Sequence, residues 1–203
     1  AFRIIERGGV TVGVIGLAAV IASHLLPAGD RERIRLTLGD AALRTHIPFL
    51  KREHRVDVIV VLSHLGFPQD CKLAAVVPGI DVIISGHTHT GIDRPRVVGG
   101  TIIVQAWEHG KQLGVLDLAV DAGKVSLKAW RALPVDDATA GDWLVQGAVD
   151  AAIAEIDRAV LAPHGLSYHQ EIVETSADMT MANEETGLGN LVADAIRWYA
   201  NRA

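Results

Sequence analysis

Three histidines in two short motifs are the residues whose types and spacing best suit chemistry: His64 in VVLSHLG, and His87 and His89 in VIISGHTHT. In a loop or extended segment, side chains at i and i+2 point the same way, so a His-X-His pair can reach one metal ion or two neighbouring ions. Gly86 lets the backbone turn tightly before the pair, and Ser63 and Thr88 stand where hydrogen bonds would orient the imidazoles. A single histidine beside a strand is more often a surface or hydrogen-bonded residue than a ligand. Three of them, each just past the end of an apolar run, favour a metal. Imidazoles alone do not complete a two-ion centre, which also needs a bridging group and carboxylate or amide oxygens to balance the charge.

The elements that must position these histidines are legible in the hydrophobic pattern. Val56 to Leu62 and Ile80 to Ile84 are short, nearly all-apolar runs rich in β-branched residues, as suits strands covered on both faces. A short helix over Asp70 to Val77 between them makes a parallel crossover unit. The carboxyl ends of parallel strands form the ligand-binding edge of an open α/β sheet, so both histidine loops should open on that edge. Upstream, Phe2 to Glu6, the Gly8-Gly9 pair and Val10 to Leu17 read as strand, tight turn, strand. Between Arg31 and Arg55, Leu43, Ile47, Leu50 and His54 recur at helical spacing, with Asp40 as the expected N-cap and Pro48 a kink or a late start. Downstream, Thr101 to Gln105, Gln112 to Val120 and Lys124 to Leu133 read as an antiparallel meander. A long amphipathic helix over Trp143 to Leu161, a short strand over Glu171 to Glu174 and a helix over Thr186 to Ala200, capped near Asn183 or Thr186, complete the chain.

Other polar and aromatic residues carry weaker signals. His109 and Glu108, in AWEHGKQLG, lie at a strand end near the histidine loops and read as loop residues. His24, His46 and His54 have no evident partners and are expected to be solvated, and Asn190 and Asp194 are expected to cap or pair rather than catalyse. Trp107, Trp130, Trp143 and Trp198 are too scattered to form a stacking platform and should fill core or interdomain surface.

Composition narrows the classes. With 203 residues, 49% hydrophobic and 21% charged, the chain has material for one full domain and part of another around a real core. The net charge of −5 and the absence of Lys/Arg clusters argue against polymeric nucleic acid and acidic membrane surfaces as partners. Cys71 is the one cysteine, which excludes an internal disulfide and a multi-thiolate zinc site. The most apolar run, Val10 to Ala22, is broken by Thr11, Gly13 and Gly16 and falls short of the ~20 apolar residues a bilayer span requires.

SHLG, followed after a short helix by PGIDVIISGHTHT, resembles the last two metal-binding motifs of the calcineurin-like metallophosphoesterases. GVTVGVIGL, GTIIVQA, GKQLGVLDL and ETGLGNLVADAIR extend the resemblance to the branch of 5'-nucleotidases and 2',3'-cyclic phosphodiesterases. It implies an α/β fold: part of a metallophosphoesterase β-sandwich flanked by helices over residues 1–135, a linker helix over 136–165, and the start of a second α/β domain over 166–203. It further implies His64 and His87 as ligands of one divalent ion and His89 of the other, the metals being Mn, Zn, Fe, Mg, Co or Ca. The substrate implied is a nucleotide or other small phosphate ester, hydrolysed with metal assistance, and the location periplasmic or extracellular. No catalytic residue beyond the ligands is assigned. The family's earlier motifs, an Asp-X-His, a bridging Asp and an Asn-His segment, have no counterpart in the 203 residues, and no Asp-X-His occurs. The sequence is therefore expected to continue on both sides, with the present segment inactive by itself. Two further readings stand beside this one: a thiosulfohydrolase of the sulfur-oxidation pathway, which resembles the same scaffold, and a non-catalytic metal-binding module.

Overall fold

The computed structural model describes residues 2–19, 26–31, 33–34, 37–121, 123–176, 179–182 and 184–202, and the chain divides into two compact units, Ala1–Thr139 and Ala140–Ala203. His24 and Asn183 lie outside the described residues.

The first unit is built on a six-stranded sheet of order β1-β2-β3-β4-β6-β5. β1 (Phe2–Arg7) and β2 (Val10–Leu17) form an antiparallel hairpin whose turn places Gly8 and Gly9 at φ of 57° and 79°. Two successive left-handed residues match the right-handed twist of the strands they join, which is why glycine fills both. β3 (Val58–Ser63), β4 (Val82–Ser85) and β6 (Thr101–Val104) then add in parallel to β2, and β5 (Arg96–Val98) closes the edge antiparallel to β6.

Two aspartates set the entry of this parallel core. Asp57, just before β3, accepts a hydrogen bond from the Thr11 N–H at 2.8 Å, and Asp81, just before β4, accepts one from the Ile59 N–H at 2.7 Å. Each carboxylate caps the neighbouring strand, so the matching VDV and IDV starts are a register device repeated one strand over.

One face of the sheet is covered by helices. A four-residue turn, α1 (Ala28–Arg31), precedes α2 (Gly39–Glu53), which buries Leu43, Ile47 and Leu50. α3 (Phe67–Val76) buries Leu73 and Ala74. These residues join Ile15, Leu17, Ile59, Val61, Ile83 and Ile103 in one core cluster. Leu43 and Leu50 have no solvent exposure, and burial of each such side chain stabilises by roughly 1.5–3 kcal/mol. α2 starts at Gly39, close to the expected cap at Asp40: Leu38 is its N-cap, Asp40 lies in its first turn, and Pro48 sits inside it. His46 and His54, expected to be solvated, ring Phe2 with Phe49, at centroid distances of 5.7 Å and 6.0 Å from Phe2.

The meander expected over Thr101 to Leu133 is divided. β6 belongs to the parallel sheet, because its Thr-Ile-Ile-Val run is buried throughout, as a strand covered on both faces must be. Only β7 (Gln112–Asp121) and β8 (Lys124–Pro134) pair as an antiparallel hairpin. Trp130 of β8 lies over Gly114, where a Cβ would come within 2.5 Å of the ring, and its indole N–H donates to the Ile92 carbonyl at 3.0 Å.

The second unit carries α4 (Trp143–Ile156), capped by the Asp142 carboxylate on the N–H groups of Leu144 and Val145. A π-helical turn over Asp157–Leu161 and a 3₁₀ turn over Ala162–His164 follow, and Gly165 ends the run at φ 71°. Glu171 to Glu174 is irregular rather than a strand. α5 (Gly187–Ala200) is capped by Thr186, whose hydroxyl accepts from the Gly189 N–H at 3.0 Å. None of the described residues of this unit is buried, and Trp143 and Trp198 are 78% and 57% exposed, so neither fills a core.

Candidate metal centre

The parallel register of β2, β3, β4 and β6 brings the ends of these strands, and the loops that follow them, to one edge of the sheet. His64 follows β3, with its backbone N–H bonded to the Leu17 carbonyl at the end of β2. His87 and His89 follow β4, and Glu108 and His109 follow β6. All three loops rest on buried polar side chains while the imidazoles face solvent.

The support under the first two loops is Asp70, in the first turn of α3 and without solvent exposure. One carboxylate oxygen accepts from Ser63 Oγ at 2.6 Å and the other from Ser85 Oγ at 2.5 Å. Ser63 Oγ accepts in turn from the Leu65 N–H at 3.1 Å. Asp70 thus ties the last residues of β3 and β4 together, directly beneath His64 and two residues before His87. Burial pushes its carboxyl above the ordinary aspartate range, and the two serine hydrogen bonds offset part of that rise.

Glycines give the rings room. A Cβ on Gly86 would stand 3.1 Å from His64 Nδ1 and 3.2 Å from the Ser63 carbonyl. Gly66, at φ 101°, leaves a Cβ position only 2.9 Å from Thr88 Cγ2. His64 and His87 consequently lie ring against ring, their centroids 5.1 Å apart and their planes at 60°.

Gln105, 2% exposed at the end of β6, holds the third loop to the second. In the amide orientation that satisfies both of its groups, its carbonyl accepts from the N–H groups of His89 and Thr90, each at 3.2 Å, and its nitrogen faces Thr88 Oγ1 at 3.3 Å. Thr88 Oγ1 also accepts from the Phe67 N–H at the start of α3. The sequence expectation gave Thr88 the task of orienting an imidazole; it joins loop to helix instead.

His89 is placed among other donors. Its Nδ1 lies 2.7 Å from Glu108 Oε2, His109 Nε2 lies 3.5 Å from the same oxygen, and the two imidazole centroids are 5.3 Å apart. Lys111 Nζ stands 3.4 Å from the other Glu108 oxygen. Desolvation acts to raise the Glu108 carboxyl, but Lys111, His109 and His89 together hold it below the ordinary glutamate range. His87, His89 and His109 all have left-handed backbones, with φ of 74°, 52° and 53°. Such conformations are costly for non-glycine residues and gather where the surroundings fix a functional geometry.

The donors fit divalent transition metals. Neutral imidazoles and a carboxylate suit zinc, manganese, cobalt and iron, and the backbones that carry them are fixed from below. Sequence reasoning did not single out Asp70 or Gln105. The serine that ends each strand, one before His64 and two before His87, was the available signal that a shared buried acceptor lay beneath them.

Comparisons with known proteins agree on one scaffold. The chain is 32% identical over 160 residues to the trifunctional nucleotide phosphoesterase YfkN of Bacillus subtilis, covering 76% of this chain and 11% of that protein. Its structure superposes with a TM-score of 0.76 on the 5'-nucleotidase precursor from Thermus thermophilus, at 26% identity, over 99% of this chain and 42% of the other. The sulfate thiohydrolase SoxB of Thermus thermophilus gives a TM-score of 0.69 at 30% identity, over 81% and 29% of the two chains. The chain therefore spans less than half the length of each. No family model matches it.

Proposed function

Taking as premise that the chain belongs to the 5'-nucleotidase family of metallophosphoesterases, we propose that it serves in metal-dependent hydrolysis of phosphate esters of nucleotides. His64 and His87 hold one divalent ion and His89 the other. The observation that carries this reading is the meeting of His64 and His87, 5.1 Å apart, at the ends of two adjacent parallel strands braced from below by Asp70. Two divalent ions in such a centre supply positive charge to the phosphate oxygens and acidify the attacking water. The work of this chain is to keep its imidazoles facing solvent at fixed spacing. Three histidines are too few donors for two ions, and this reading leaves the remaining donors unassigned.

In this reading, residues 1–135 belong to the metallophosphoesterase domain, 136–165 link it onward, and 166–203 open the nucleotide-binding domain. The setting is periplasmic or extracellular. No helix among the described residues is long and apolar enough to cross a membrane. The test is phosphate release by the full-length gene product with Mn²⁺, using AMP, UDP-glucose and 2',3'-cyclic AMP. Release from at least one substrate that stops on chelation is the expected result, and no metal-dependent release from any of them would overturn the reading.

A thiosulfohydrolase function is the second reading, favoured by one observation: identity to SoxB, at 30%, is higher than to the Thermus 5'-nucleotidase, at 26%. Turnover of a cysteine thiosulfonate with no release from the nucleotides would select it.

A further inference from the structure

His89, Glu108 and His109 gather three donor atoms of the kinds that bind transition metals, all within 4.8 Å of one another. We propose that they form a three-ligand site for one divalent transition ion, which the 203-residue chain loads without donors from elsewhere. The site shares His89 with the functional reading above and differs from it in its other two ligands.

The distances are close to what an ion would impose. Zinc sits about 2.0–2.1 Å from imidazole nitrogen and carboxylate oxygen, so neighbouring ligand atoms of a tetrahedral site lie roughly 3.4 Å apart. His109 Nε2 and Glu108 Oε2 are already at 3.5 Å. His89 Nδ1 and Glu108 Oε2, at 2.7 Å, stand at hydrogen-bonding distance, and a small side-chain rotation opens that gap to a ligand spacing. Both histidines face solvent, so an ion can enter and a fourth position stays free for water.

The surroundings favour Glu108 as a ligand. Lys111 holds Oε1, leaving Oε2 turned to both imidazoles, and Lys111 is itself placed over the Trp107 ring at 5.0 Å. A second partner on the far oxygen of a ligating carboxylate is the usual way such a ligand is oriented. Gln105 fixes the backbone of His89 from beneath through its N–H.

The experiment titrates the metal-free 203-residue chain with Co²⁺, read by visible absorption, and with Zn²⁺, read by calorimetry. The expected result is one equivalent bound with low-coordinate Co²⁺ bands. Binding should weaken more than about tenfold in Glu108→Gln and again in His109→Ala, a loss on the scale of disturbed metal ligation. A variant with both His64→Ala and His87→Ala should keep the equivalent. Circular dichroism of each variant verifies the fold. Three outcomes would overturn the proposal: no tight equivalent in the parent chain, parent-like affinity in Glu108→Gln and His109→Ala, or loss of the equivalent in the His64/His87 double variant. The last would leave the functional reading standing while removing this site, and failure of phosphate release in the full-length product would do the reverse.

Discussion

The two corners of the candidate centre are built by opposite means. At His64 and His87, exposed imidazoles stand on a buried carboxylate that grips two serines at 2.5 and 2.6 Å. At His89 and His109, the contacts are polar ones to Glu108 in or near solvent, with the histidine side chains 53% and 68% exposed. A buried hydrogen-bonded brace sets geometry at a high cost if broken, whereas exposed charge pairs contribute little to stability and leave their donors free to rearrange. One corner is therefore rigid before a ligand arrives, and the other is adjustable.

The most severe break should come from Asp70→Ala. It removes two hydrogen bonds to a charged acceptor and leaves the hydroxyls of Ser63 and Ser85 without it, so unfolding in urea should show a loss of about 4 kcal/mol. Asp70→Asn should cost less than half as much, because an amide can accept from one serine and donate to the other. The pH dependence separates charge from shape. Since the folded carboxyl titrates above its unfolded counterpart, the folded state holds the extra proton between the two values. This contribution to stability is largest below the unfolded value and falls as pH rises through that window. The stability gap between parent and Asp70→Asn should narrow over the same range, and a gap that widens would contradict the assignment.

Gln105→Ala should rank second, at about 2 kcal/mol, because it orphans the N–H groups of His89 and Thr90 beneath the adjustable corner. Gly86→Ala should cost about 1 kcal/mol and move the His64 ring, whose Nδ1 stands 3.1 Å from the new methyl position. The shift is readable as a change in the His64 imidazole NMR signals with those of His109 unchanged. Glu108→Gln should have the smallest effect, with no resolvable change in urea midpoint at neutral pH, and any difference should vanish as salt is added.

The comparison also explains what could be read from the residues alone. The parallel core was legible because VDVIVVL and IDVII are short β-branched apolar runs and GHTH follows one of them directly, although Leu62 and Ile84, 46% and 44% exposed, leave the second face only partly covered. β6 was misassigned to a meander because four residues, Thr101–Val104, carry no alternation by which to judge a partner, and the deciding contact with β4 lies about 20 residues back. Asp70 and Gln105 escaped for another reason: a buried polar residue takes its meaning from partners on other strands, which spacing along one segment does not show. His54 is exposed, as the lack of partners in its segment suggests, while His46 is half-buried, and both edge the Phe2 ring of β1.

The account rests most heavily on where metal binds. Anomalous diffraction from crystals of the Zn²⁺-loaded full-length gene product measures this directly. It should show one peak within coordination distance of His64 and His87 and a second at His89, about 3.5–4 Å away, the spacing of a two-metal phosphoesterase centre. A single peak remote from His64 and His87, or two peaks elsewhere in the protein, would contradict the assignment of these histidines as the ligands.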